Sequence, residues 1–177
     1  MDNEKVRNAI VKELYNFTKR PVLMMRQAND RPKNQKGETD YPFIAYNFLS
    51  TFINDRQVGI YEQTEVPSTN PKFEKDIIDT VYFQPQFTMS FTAYAKTSLE
   101  AKDLAQRIWD FFRHNSYYML LTSNIVVVEV GNIQNRDVLE VQTYERREGL
   151  DVRFRTTHKI EQRIETIETY ELNKKYI

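Results

Sequence analysis

The chain has 177 residues, 40% of them apolar and 28% charged, a balance that fits a globular protein able to bury a core. Twenty-five Lys and Arg match 25 Asp and Glu, and a formal net charge of zero argues against a protein whose main work is gripping the nucleic-acid backbone. There is no cysteine, which excludes disulfides, thiol catalysis and cysteine-ligated metals, and four glycines leave little room for a glycine-rich phosphate loop.

The chain opens Met1-Asp2-Asn3-Glu4, polar and acidic, without the apolar stretch of a signal peptide, and no later run is long enough to span a membrane. Residues 3–17 read as an amphipathic helix with Val6, Ile10, Leu14 and Phe17 on one stripe; Pro21 ends it. The run 22–25 is short and apolar, with a first strand as one reading. Residues 29–40, with Pro32 and Gly37, are aperiodic and polar and read as an exposed loop, with a partner-binding arm as the alternative. Residues 41–53 read as a strand apolar on both faces, covered by its own domain or by a neighbour. The segment 54–76 is a second polar excursion and the most acidic part of the chain. Pro67, Ser68, Asn70 and Pro71 break it, and both a long loop and a hairpin are open to it.

The organising stretch is 81–112. Phe87, Met89, Phe91 and Ala93 alternate with Thr88, Ser90, Thr92 and Tyr94, the period of a half-buried strand. Pro85 places a bend, a bulge or a sheet edge ahead of it. Thr97 followed by Glu100 reads as a capping box. The helix it opens, 98–114, buries Ala101, Leu104, Ala105, Ile108, Phe111 and Phe112, with Trp109 at the edge of the stripe. The β-branched run 125–130 has the composition of a central strand. Residues 138–144 and 150–158 read as an antiparallel pair joined by a turn near 146–149. In the tail 159–177, Ile160, Ile164 and Ile167 have the spacing of a helical stripe, while Thr166, Ile167, Thr169 and Tyr170 favour a strand; a final strand or an arm laid on a neighbour is preferred to a helix.

No motif carries catalysis. His114 and His158 lack metal-ligand spacing, and no GxSxG elbow is present. Asp76 with Asp79, or Glu129 with Glu140, could hold a divalent ion as in a nuclease, with Arg153 and Arg155 on phosphate. Solvated strand faces explain the same residues. Arg146 and Arg147, near Arg153 and Arg155, sit among Glu145, Glu148 and Asp151, a mixture that suggests pairing between subunits or a plain surface role, with nucleic-acid binding as the lesser alternative. Tyr117-Tyr118 reads as a packed helix end, or as a stacking platform. No catalytic, cofactor-binding or metal residue is assigned, and no cofactor. The surplus of 11 Tyr and 11 Phe over one Trp suits subunit contacts.

Taken together, YPFIAYNFLS, FTMSFTAYAK, AKDLAQRIWDFFR, NIVVVEVGNIQNRD and YERREGLDVRFR resemble the neck or tail terminator proteins of tailed bacteriophages, over roughly residues 20–170. The resemblance implies an α+β fold: a mixed, mainly antiparallel sheet with helices packed on one side. The length fits a single domain over 1–177, with long loops near 29–40 and 54–76 read from their polar composition and a C-terminal arm at 160–177 as one reading of the tail. The resemblance further implies a non-enzymatic virion protein, assembled in the bacterial host cytoplasm, that forms a ring, usually a hexamer. The ring caps the tail tube, meets the tail tube protein and the head-completion or connector protein, and lets the genome pass without tight binding. Trp109 and Phe112 are implied in helix-to-sheet packing, and Gly149 in the hairpin turn. A head-closure or tail-completion subunit is the alternative, and a metal-dependent nuclease the third reading.

Overall fold

A computed structural model describes residues 2–25, 31–37, 39–53, 58–140 and 143–165. Helix α1 (Asn3–Thr18) starts where the Asp2 carboxylate accepts from the Glu4 and Lys5 amides, and ends at Lys19 in the left-handed region. Strand β1 (Val22–Met24) pairs in parallel with β2 (Phe43–Ile53). Pro85 divides the stretch before the main helix into β4 (Lys75–Phe83) and β5 (Gln86–Ala95), which join different sheets. Helix α2 (Ser98–Asp110) is capped by Thr97 Oγ1, which accepts from the Glu100 amide at 3.2 Å. It continues as a π-helical turn (Phe111–Asn115) and then a short α3 (Tyr117–Leu121). Strand β6 (Ile125–Val130), β7 (Gln134–Asn135) and β8 (Val138–Glu140) all pair antiparallel with the long β9 (Thr143–Thr156).

The described residues fall into two compact units. The larger draws on residues up to 53 and on 85–157. Its sheet runs β1-β2-β5-β9-β6, antiparallel except at β1. The period of two sends Ile44 and Tyr46, Phe87, Met89, Phe91 and Ala93, and Leu150, Val152 and Phe154 to one face. There they meet Ile10 and Leu14 of α1, Leu104, Ala105 and Ile108 of α2, Phe111 and Phe112 of the π turn, and Leu120 of α3. The rings interlock: Phe112 meets Phe154 edge-on at 5.5 Å, and Phe87 stacks on Phe154 at 5.1 Å. The fold is therefore α+β, a mainly antiparallel sheet with helices on one side. Trp109 is half-buried and packs on this core.

The smaller unit is a three-stranded antiparallel sheet, ordered β10-β4-β3, from β3 (Ile60–Pro67), β4 and β10 (His158–Glu165). Of the two readings of 54–76, the hairpin is the one found: β3 pairs with β4 from Ile60 opposite Tyr82 to Pro67 opposite Lys75. Residues 54–57 lie outside the description. The hairpin escaped periodicity because β3 is exposed along both faces. Of the tail, 158–165 forms β10, and 166–177 lie outside the described residues.

Two expectations are corrected. The run 125–130 is not a central strand: β6 lies at the end of its sheet. Its composition answers to the helical layer on one face, since Ile125 is buried in the core while Val128 is 44% exposed. Gly149 is not in a hairpin turn. It lies within β9, opposite Thr92 of β5, and the expected strands 138–144 and 150–158 become β8 and one unbroken β9.

Candidate interaction surfaces

The sheet face turned from the helices begins as a small apolar cluster. Phe43 and Tyr94 stack at 4.7 Å with Ala45 beside them, and Leu23, Met25 and Tyr41 pack against the group. Farther along, alternation puts Asn47, Thr88, Ser90, Thr92, Asp151, Arg153 and Arg155 on this face. Arg136, from between β7 and β8, lies across it. Its Nη1 donates to Ser90 Oγ at 2.6 Å and Thr92 Oγ1 at 3.1 Å, and its Nη2 to Asp151 Oδ1 at 2.9 Å. Gly149 makes that approach possible, because a Cβ there would sit 2.7 Å from Arg136 Nη1 and 2.8 Å from the Phe91 carbonyl oxygen.

The neighbouring cations are matched in the same way. Glu145, 7% exposed, accepts from the Tyr41 hydroxyl at 2.7 Å, from Arg31 at 3.2 Å and from Arg147 Nε at 2.8 Å. Arg147 also lies 4.9 Å from the centre of the Tyr94 ring. Arg146 donates to Asp137 at 2.9 Å, and Arg153 pairs with Glu129 at 3.3 Å. Burial pushes the Asp137 carboxyl up, but the Arg147 amide, Arg146 and Asn135 outweigh it and hold it below the ordinary carboxylate value. Of the mixed charges, expected to pair between subunits or to serve as plain surface, Arg146, Arg147 and Arg153 find carboxylates within the chain. Arg136, Arg147 and Arg153 on this face are matched to carboxylates, and Arg155 stands on it beside them.

The small sheet has two unlike faces. On one, Asp76, fully buried, accepts from Arg163 Nε at 2.6 Å and from the Thr69 amide at 3.3 Å. The Ser68 hydroxyl, then Arg163 and the Thr69 amide, hold its carboxyl below its ordinary value. Tyr82 donates to Glu62 at 3.1 Å on the same side. The register places Tyr61, Ile77, Val81, Phe83, Ile160 and Ile164 on the other face. Tyr61 is 66% exposed, Ile160 49% and Ile164 42%. Both β3 and β10 are edge strands.

Candidate chemistry disperses. Asp76 and Asp79, three apart on one strand, face opposite ways: Asp76 takes Arg163, and Asp79 accepts from Gln63. Glu129 is held by Arg153, and the Glu140 side chain lies outside the description. His114 is exposed in the π turn, and His158 opens β10. Among the described residues no three His, Asp or Glu side chains gather to hold a metal ion. Tyr117 and Tyr118 are not a packed helix end. They meet edge-on at 5.0 Å and stand 58% and 79% exposed, while Leu120 fills the core. Sequence reasoning missed Arg136, Tyr41 and Arg31. They act through partners 15 to 114 residues away, and no local pattern announces such contacts.

A mainly antiparallel sheet with helices on one side, a charge-matched open face and a second sheet with open edges is an architecture built for contact. Comparison with known families decides which: the profile described as "Phage neck terminator protein" matches residues 8–177. The chain belongs to that family. No curated protein matches it. The phage neck terminator proteins are structural and non-catalytic, and this member is a virion protein of the phage neck or tail rather than an enzyme. No described helix is long and apolar enough to cross a membrane.

Proposed function

We propose that this phage neck terminator protein closes into a ring, a hexamer, that caps the finished tail tube. The ring joins the tube to the head-completion or connector protein and leaves a channel for the genome. It assembles in the host cytoplasm, on the tail tube protein.

The observation that carries this reading is the small sheet. Among the described residues its outer strands β3 and β10 each have an unpaired edge, and Tyr61, Ile160 and Ile164 stand exposed on one face. Exposed edges are a hazard unless another chain pairs with them. The two edges differ in sequence: β3 carries Glu62 and Glu65, and β10 carries Lys159, Glu161, Arg163 and Glu165. An edge that pairs with an unlike edge makes a head-to-tail contact, and such contacts close rings. Passage of DNA without tight binding is supported by zero net charge and by the matching of Arg136, Arg146, Arg147 and Arg153 to carboxylates.

Light scattering across a concentration series, with negative-stain images of the same samples and of samples mixed with tail tubes, tests the ring. Six-fold rings with a central hole, alone or on tube ends, are expected. A chain that stays monomeric and leaves tube ends bare would overturn the reading. Ile160→Asp should abolish rings while leaving the larger unit folded.

A further inference from the structure

Strand β10 pairs with β4 on one side, and among the described residues no strand pairs with its other edge. The register fixes which backbone groups that edge offers. The Ser68 amide donates to the Glu74 carbonyl at 3.0 Å, one step beyond Pro67 opposite Lys75. Opposed residues of an antiparallel pair alternate between exchanging both backbone bonds and exchanging none. Thr80 therefore bonds Glu62 of β3, and its neighbours Asp79 and Val81 turn the other way, to Gln162 and Ile160 of β10. The alternate residues of β10, Lys159, Glu161, Arg163 and Glu165, are left with N–H and C=O pointing outward. Their side chains share the face of Asp76, while Ile160, Gln162 and Ile164 share the apolar face.

The sequence of this strand is its own complement in reverse. Turned about a two-fold axis at Gln162, a second β10 sets Lys159 opposite Glu165, Glu161 opposite Arg163 and Ile160 opposite Ile164, each twice. The charged residues fall where backbone bonds are exchanged. The isoleucines fall at the non-bonded positions, where opposed side chains come closest. The neighbouring registers fail. A slip of two residues one way sets Lys159 against Arg163 and Glu161 against its own copy. The other way it sets Glu161 against Glu165 and Arg163 against its own copy. A slip of one residue sets outward backbone groups against inward ones. Arg163 already meets Asp76, and Lys159 meets Glu161, so the partners across the axis extend existing ion pairs into a network.

We propose that the free protein pairs β10 with β10 of a second copy, antiparallel about a two-fold axis, and so joins two three-stranded sheets into one. The dimer covers one edge and neither face. Only a two-fold operation sets a strand antiparallel to its own copy; the smaller rotations of a ring leave copies running in broadly the same sense. The dimer is therefore a competitor of the ring. It shields the β10 edge in the free protein and must open before that edge meets a ring neighbour. That competition rests on the ring reading, and the dimer itself does not.

The test uses the full chain without tail tubes. Across a concentration series the native protein should sediment as a monomer and dimer in reversible exchange. Lys159→Glu and Glu165→Lys, each alone, set like charges opposite each other twice and should weaken dimerisation at least about tenfold. An equimolar mixture of the two should dimerise as tightly as the native chain, since each variant carries the charge the other needs. There is no native cysteine, so Gln162→Cys gives a second readout. Its two thiols would meet at a non-bonded pair with Cα atoms roughly 4.5 Å apart, within disulfide reach, and mild oxidation should link them. Gln63→Cys, in the same row of the sheet but on β3, should not link. A strictly monomeric native chain, a mixture that dimerises no more tightly than its parts, or equal linking at the two cysteines overturns the proposal. Dimers that never become rings on tube ends support it and count against the ring. Rings without a dimer in the free protein overturn it and leave the ring standing.

Discussion

At Gly149 a single methyl group would change the sign of a common substitution. Alanine in a strand is ordinarily favoured over glycine by about 0.5–1 kcal/mol. Here the added Cβ meets the Phe91 carbonyl at 2.8 Å, a backbone atom of the neighbouring strand, and Arg136 at 2.7 Å. The Arg136 end could swing away, but only by giving up Ser90, Thr92 and Asp151. Gly149→Ala should therefore destabilise the protein by about 1–3 kcal/mol, the usual cost of overpacking, read from the urea midpoint. A neutral or stabilising result would show that Arg136 is not held there. In the core, Phe91 is fully buried and meets the Phe112 ring at 4.8 Å, and Phe91→Ala should cost about 3–5 kcal/mol in the same assay. Of these two residues only Phe91 was legible in advance. Its alternation with Ser90 and Thr92 declares a buried side. Gly149 reads as a turn because a lone glycine among charged residues is the commonest turn signal, and the arginine that needs it lies thirteen residues earlier in the chain.

At the scale of elements, α1 was legible from its helical stripe and Pro21, and α2 because the Thr97 cap and a helical stripe reinforce each other within a few residues. Strand β5 was legible because one of its faces is wholly buried. Strands β3 and β10 were legible only as one of several readings, a hairpin beside a loop and a final strand beside an arm or a helix, since neither buries a face and so neither carries a period. Beside the backbone ladder, β10 is tied to β4 near its far end by a long-range ion pair, Arg163 with Asp76. That contact gives the element its own pH dependence. The Ser68 hydroxyl, Arg163 and the Thr69 amide depress the folded carboxyl below its ordinary value of 3.8. A depressed carboxyl contributes stability that is fully present above its unfolded value and is lost as pH falls through the folded one. Exchange of the β10 amides should therefore quicken below pH 3.8, beyond the ordinary pH dependence of exchange, while the β5 amides stay slow. Asp76→Asn should already show loosened β10 amides at neutral pH and remove the extra acid dependence. If native and variant respond to acid alike, the clamp does not hold β10.

For the whole molecule, the two units differ in what stabilises them. Every buried apolar side chain of the two core clusters belongs to the larger unit. The small sheet buries Asp76 and Thr80, while Ile60, Tyr61, Ile160 and Ile164 stay 42% to 67% exposed. Three strands need a covered apolar face for independent stability, and hydrogen bonds alone leave such a sheet marginal. The larger sheet should therefore be formed in the lone subunit, and the smaller one should gain most of its stability when another copy covers its apolar face. Hydrogen exchange can separate the two. In the unassembled protein the β4 amides should exchange at least about 100-fold faster than those of β5 and β9, as expected for a region that opens on its own. In rings or on tube ends they should slow toward the β5 values, because the edges are then paired and Ile160 and Ile164 are shielded. If the β4 amides are as slow as those of β5 in a strict monomer, the small sheet is self-sufficient and its open edges need another partner to explain them. If they stay fast after assembly, the ring contact lies elsewhere, and the charge-matched face around Arg136 becomes the surface where subunits meet.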